Sequence, residues 1–203
     1  MKHFIAIAGN IGAGKTCLSK RLAELFGWEL YQEPFRENPY LKNFYGDMGK
    51  WAFQCEMAFL GHRLKNHWDI LNKETHIIQD RCIYEGAEIF VKNLFRDKQM
   101  TEQDWNTYNN LYQTIINNLR PPEMIVYLNA STERCLQNIK QRNRALDVNI
   151  NEHYLENLNA LYREWQQQFT ICPILAINSD GLDFKNSNHL QNIAQKISQT
   201  LKI

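Results

Sequence analysis

The run Gly9-Asn10-Ile11-Gly12-Ala13-Gly14-Lys15-Thr16 constrains this chain more than any other stretch. It fits G-x-x-x-x-G-K-[ST] and sits where that motif needs to sit. Upstream, Phe4 to Ala8 is a short apolar run that reads as a buried strand. Downstream, Leu18, Leu22, Leu25 and Phe26 recur at helical spacing, and Gly27 follows as a stop signal. Strand, glycine loop and helix in that order make a phosphate-binding loop. Small residues let successive backbone N–H groups point into one concavity, and the helix N-terminus adds partial positive charge. Lys15 is then expected to reach the outer phosphates of a nucleoside triphosphate, and the Thr16 hydroxyl to ligate Mg²⁺.

At 203 residues, the chain suits one domain spanning 1–203 with a sizeable core and at most a small lid. A formal charge of +1 gives no electrostatic case for nucleic acid or an anionic membrane as partner. No apolar stretch approaches the roughly 18 residues of a membrane span. The five cysteines, Cys17, Cys55, Cys82, Cys135 and Cys172, are scattered and show no C-x-x-C spacing. That pattern suits reduced thiols in a cytoplasmic protein, and the chain leaves no room for a leader peptide before the first strand.

Further strand-like runs lie at Glu29 to Tyr31, His76 to Ile78, Met124 to Leu128 and Ile174 to Ile177. Helical periodicity runs through Trp105 to Ile116, Tyr154 to Phe169 and Leu190 to Leu201. Alternating strands and helices after such a loop imply a doubly wound parallel sheet of five strands, with ligands at the carboxyl ends. The polar segment Gln141 to Ile150, carrying Arg142 and Arg144, reads equally well as a lid over the phosphates or as a solvated helix connection.

Two motifs narrow the chemistry. No N-K-x-D is present for guanine in the manner of a GTPase, and no strand ends in the Asp-Glu pair of a motor ATPase. Instead His76-Ile77-Ile78-Gln79 ends in Asp80-Arg81. Asp80 can hold Mg²⁺ or its water, and Arg81 can neutralise charge on a transferring phosphoryl group. Glu33-Pro34-Phe35 follows the second strand, and Glu33 is placed to take a proton from an acceptor hydroxyl.

Gly9 to Thr16, Glu33-Pro34, Tyr45 to Gln54, Asp80-Arg81 and Arg142-Asn143-Arg144 appear in that order. Together they resemble the deoxynucleoside kinases over nearly the whole chain, and Glu33 to Leu41 resembles bacterial members acting on deoxyadenosine or deoxyguanosine. The resemblance implies a homodimer that phosphorylates the 5′-hydroxyl of a deoxynucleoside with ATP and Mg²⁺. It implies Glu33 as the general base with Arg81 beside it, and Arg142 and Arg144 as phosphate clamps. Tyr45 and Asp147 would meet the sugar 3′-hydroxyl, Gln54 would read the base and Phe90 would pack on it. The loop Ser179 to Phe184, with Asp183 and Phe184, resembles the family's adenine-binding loop.

Gln54, Met57 and Gly61 stand at i, i+3 and i+7, hence on one helix face. That face could line a flat base pocket or pack on a neighbouring element. Many relatives have Gly where this chain has Asn143, an Asp where it has Gly86, and some an Arg seven residues after the glutamine, where it has Gly61. Deoxyadenosine is the expected substrate, with deoxyguanosine, deoxycytidine or thymidine as alternatives. A nucleoside monophosphate kinase and a nucleotide-binding module without turnover are the competing readings.

Overall fold

The computed structural model describes residues 2–33, 35–144 and 150–203. Its centre is one parallel sheet in the order β2-β3-β1-β4-β5, built from β1 (Phe4–Gly9), β2 (Glu29–Tyr31), β3 (Ile77–Asp80), β4 (Met124–Asn129) and β5 (Ile174–Asn178). β1 lies between β3 and β4, with Ile5 opposite Ile78 on one side and Met124 on the other. All six β1 residues are buried, as befits a strand covered on both faces. Its side chains alternate: Ile5 and Ile7 join one core cluster, Ala6 and Ala8 the other.

The chain passes first to one side of β1 and then crosses to the other. Loops after neighbouring strands therefore diverge and leave a crevice at their carboxyl ends. The first is the glycine loop, leading into α1 (Lys15–Phe26), which Gly27 ends in the left-handed conformation. After β2 come α2 (Leu41–Gly46) and the long α3 (Met48–Leu71), the latter capped by the Asp47 side chain. β3 delivers Asp80 and Arg81 to the same edge. A helical stretch follows: α4 (Ile83–Glu85), a π-helical turn at Gly86–Val91, and α5 (Lys92–Arg96). Such turns cluster at functional sites. Helices α6 (Glu102–Ile116), α7 (Thr132–Arg142), α8 (Glu152–Gln168) and α9 (Ser187–Leu201) complete the layers. Among the described residues no helix is long and apolar enough to cross a membrane. All five cysteines are free thiols.

Candidate active site

The glycine loop closes as its sequence requires. Gly9, Gly12 and Gly14 all have positive φ. A Cβ on Gly12 would lie 2.4 Å from the Cys135 carbonyl oxygen, so this glycine also admits α7 against the loop. Lys15 is buried, and its Nζ donates to the Gly9 and Asn10 carbonyls at 2.7 and 2.8 Å. Burial, with Arg81 nearby, lowers its pKa to about 8. Thr16 Oγ1 donates to Asp80 Oδ2 at 2.6 Å. Burial raises the Asp80 pKa against the opposing pull of Lys15 and Thr16. The loop, Lys15, Thr16 and Asp80 thus form one unit at the ends of two adjacent strands. Phe184 is buried against Gly14, within 2.7 Å of where its Cβ would stand, while Asp183 is exposed and accepts from the Lys185 backbone N–H.

Arg81 sits immediately after β3 at φ 71°, a conformation L side chains rarely adopt. Its guanidinium lines the cavity at the sheet edge. Nε donates to Glu33 Oε2 at 2.8 Å, and the guanidinium lies 4.5 Å from the Phe90 ring centroid. Nη1 is held by Glu85 at 3.4 Å. Glu85 is itself wholly buried and accepts from the Gly9 N–H, the Tyr162 hydroxyl and the Cys82 N–H. This carboxylate ties the glycine loop to Arg81 and is absent from the sequence reading, because nothing in a lone Glu after Asp-Arg distinguishes it from a helix-capping residue.

A cavity of about 560 Å³ runs from the glycine loop to an aromatic chamber, within the usual range for a small-molecule site. Lys15, Thr16, Asp80, Arg142 and Arg144 line its phosphate end; Glu33 and Arg81 stand between; Phe44, Tyr45, Phe59 and Phe90 line the chamber. Arg144 also lies over the Phe35 ring at 4.7 Å. Asn143 has φ 44° and caps α7, the left-handed geometry in which glycine is favoured and asparagine tolerated. Asp147 lies outside the described residues. Among the described residues no three His, Cys, Asp or Glu side chains form a metal cluster. A single carboxylate with a hydroxyl suits Mg²⁺ that also rests on phosphates.

The cavity-facing side of α3 differs from the expectation. Gln54 is exposed and does not line the cavity; Met57 is half-buried beside the core. Gly61 has nothing within 4 Å of its Cβ position. The face turned to the chamber carries Glu56, Phe59 and Arg63. The helical period was legible, but it fits either of two faces of this helix, and the choice between them was not. Glu56 and Arg63, seven residues apart, were missed for that reason. Arg63 Nη2 donates to Glu33 Oε1 at 2.6 Å, so the Glu33 carboxylate is gripped by two arginines. Burial would raise the Glu33 pKa, but Arg81 and Arg63 outweigh it and bring it to about 2.

A phosphate loop, a buried lysine, an acid-hydroxyl pair and an arginine-bound carboxylate facing an aromatic chamber define a P-loop kinase for a small acceptor. The deoxynucleoside kinase family model matches residues 5–202. The deoxyadenosine/deoxycytidine kinase of Bacillus subtilis (strain 168) is 32% identical over 202 residues, covering 97% of this chain and 92% of that one. The deoxyguanosine kinase of the same organism is 32% identical over 207 residues, covering 98% and 97%. The structure of the deoxyadenosine kinase from M. mycoides with bound dATP superposes with a TM-score of 0.85 at 32% identity, covering 96% and 99%. The chain belongs to the deoxynucleoside kinase family.

Proposed function

We propose that the protein transfers the γ-phosphoryl group of ATP to the 5′-hydroxyl of a purine deoxynucleoside, as a single catalytic unit. The observation that carries this reading is the Glu33 carboxylate, set by Arg81 and Arg63 between the phosphate end and the aromatic chamber of one cavity. The relatives' names supply the acceptor class: deoxyadenosine, deoxycytidine and deoxyguanosine.

In this reading the chamber positions the sugar so that its 5′-oxygen lies beside Glu33. As the oxygen bonds to the γ-phosphorus and the bond to the ADP oxygen breaks, the hydroxyl proton passes to the Glu33 carboxylate. Lys15 with the loop N–H groups holds the phosphates, and Arg81 with Arg142 and Arg144 offsets charge on the transferring group. Thr16 and Asp80 would hold Mg²⁺, which would supply further charge neutralisation. Tyr45 is assigned to the sugar and Phe90 to the base. Asp183 and Phe184 are assigned to the donor adenine, supported by Phe184 packing on the glycine loop.

A nucleoside monophosphate kinase would need cations for an acceptor phosphate. Here the two arginines beside the acceptor position are already engaged by Glu33. A module without turnover has no use for a strained Arg81 aimed at a carboxylate. Release of ADP in a coupled assay, with each deoxynucleoside and with dTMP, separates the three: turnover with a deoxynucleoside alone is expected. Turnover only with dTMP, or none, overturns the proposal. The five free thiols support a reducing, cytoplasmic setting. An exposed apolar stripe on α3 and α6, with Trp68 and Leu111 outermost, supports a homodimer.

A further inference from the structure

The chamber contains a charged pair with hydrogen-bonding capacity that the transfer itself does not use: Glu56, and the Nη1 and Nε of Arg63, whose Nη2 holds Glu33. Glu56 and Arg63 are each 4% exposed and line the cavity from α3. Arg63 Nη1 and Glu56 Oε2 stand 4.0 Å apart, close enough to attract but not hydrogen-bonded. Glu56 Oε2, Arg63 Nη1 and Arg63 Nε all lack a hydrogen-bond partner. Burying such groups unpaired costs free energy, and a ligand that satisfies them recovers it. Position 86, across the chamber, has made room for this arrangement: a Cβ there would lie 2.3 Å from Arg63 Nη1. A side chain at 86 would have to displace the guanidinium from the place it now occupies.

An ionised carboxylate only accepts, and a guanidinium only donates. Together they match an edge with donors at one end and acceptors at the other. Guanine presents N1–H and the 2-amino group side by side, and O6 with N7 beyond them; arginine pairs with O6 and N7 at both positions. Adenine offers one amine to the carboxylate and a ring nitrogen to the arginine, leaving one acceptor oxygen unmatched. Its better partner is an amide, which both donates and accepts. The amide Gln54 is exposed on the far side of α3.

We infer that Glu56 and Arg63 are the base-reading pair and that they select guanine, making 2′-deoxyguanosine the preferred acceptor. This rests on the deoxynucleoside kinase reading of the same cavity. Glu56 takes the N1–H and 2-amino donors, and Arg63 donates to O6 and N7. One guanidinium edge stays free for the base while Nη2 keeps its bond to Glu33.

The test is kcat/KM for deoxyguanosine, deoxyinosine and deoxyadenosine with ATP, in wild type and Glu56→Gln. Deoxyinosine keeps N1–H and O6 but lacks the 2-amino group. Wild type is expected to rank deoxyguanosine first. Glu56→Gln keeps the shape but turns one acceptor into a donor, so the deoxyguanosine-to-deoxyadenosine ratio should fall by about tenfold or more, the worth of one good bidentate contact. The wild-type gap between deoxyguanosine and deoxyinosine should shrink in the variant, as coupled losses do. A merely structural role would lower all three substrates together and leave the ratios unchanged. Robust turnover with deoxyadenosine ahead of deoxyguanosine in wild type, or unmoved ratios in the variant, overturns the base assignment alone. Absence of transfer to any deoxynucleoside overturns the underlying activity as well. Should the variant fail to fold, the wild-type ranking of the three substrates still decides.

Discussion

Three side chains lining the cavity have acid–base behaviour set by their neighbours, and each gives a measurable consequence. Glu33, at about 2, stays ionised from pH 5 to 9 in the free protein, so its protonation is not expected to shape activity in that range. Glu33→Gln should lower kcat by roughly 10²–10⁴ while nucleoside affinity changes little; a loss below threefold would place the proton acceptor elsewhere. Lys15, at about 8, begins to lose its proton just above neutrality in the free protein. Phosphate binding must restore it. ATP affinity by calorimetry is therefore expected to weaken about tenfold per pH unit above pH 8, the slope for uptake of one proton; a flat profile to pH 10 would sink this. Burial raises Glu56 to about 7 against the pull of Arg63, with Glu33 adding to the rise and Arg81 opposing it. Between about pH 4.5 and 7 the folded chain keeps a proton on Glu56 that the unfolded chain has released, so stability falls as pH rises through that window. Glu56→Gln, which has no proton to lose, should match wild-type Tm near pH 5 and exceed it at pH 8 without ligand. Equal Tm differences at both pH values would show that Glu56 does not titrate in this range.

At the scale of elements, the legible parts are those with a local cause. The glycine loop, β1 and α1 follow from backbone requirements written at Gly9, Gly12 and Gly14. The helices α6, α8 and α9 follow from apolar spacing on elements with one wet face. Asp80-Arg81 and Glu33 were legible because each lies at or just past the carboxyl end of a strand, where the crevice opens. Helix α3 was not, beyond its period. Met48–Leu71 mixes polar and apolar side chains inside and out: Glu56, Arg63 and His67 are buried, while Gly61 and Trp68 are exposed. Polarity along this helix therefore does not identify the inner face. Gln54, Met57 and Gly61 continue into Leu64 and Trp68 along the outer stripe, whereas Glu56, Phe59 and Arg63 point inward. The contact between α7 and the glycine loop gives the element-scale prediction. Gly12→Ala places a Cβ 2.4 Å from the Cys135 carbonyl, at φ 82°. Backbone must move, so we expect a loss of about 1–3 kcal/mol in stability by denaturant titration and much weaker ATP binding. Unchanged ATP affinity would mean that the α7–loop contact does not shape the phosphate site.

For the molecule as a whole, the unfinished business lies on the outer stripe of α3 and the adjoining face of α6. Trp68 is 58% exposed and Leu111 41%, and Leu64, Leu71 and Ile115 are half-buried beside them. Apolar side chains left exposed on two neighbouring helices are costly in water and suit an interface. Gly61 lies on the same stripe with open space above it, which lets a second helix approach closely. A second copy of the chain, offering the same stripe about a two-fold axis, would cover all of these residues at once, because an isologous contact presents each residue to its own symmetry mate's surface. Trp68→Glu together with Leu111→Lys should then convert a dimer to a monomer in sedimentation at micromolar concentration. Both residues lie on α3 and α6 outside the cavity lining. The monomer should still bind ATP, since the glycine loop, Lys15 and Asp80 all belong to the sheet edge of one chain. Nucleoside turnover is the more sensitive reading. Glu56 and Arg63 are carried by the same helix whose outer face the partner would brace, so losing the partner should raise KM for the nucleoside more than that for ATP. A variant that remains dimeric would show that this stripe is not the interface, and a wild-type chain that sediments as a monomer would show that there is none.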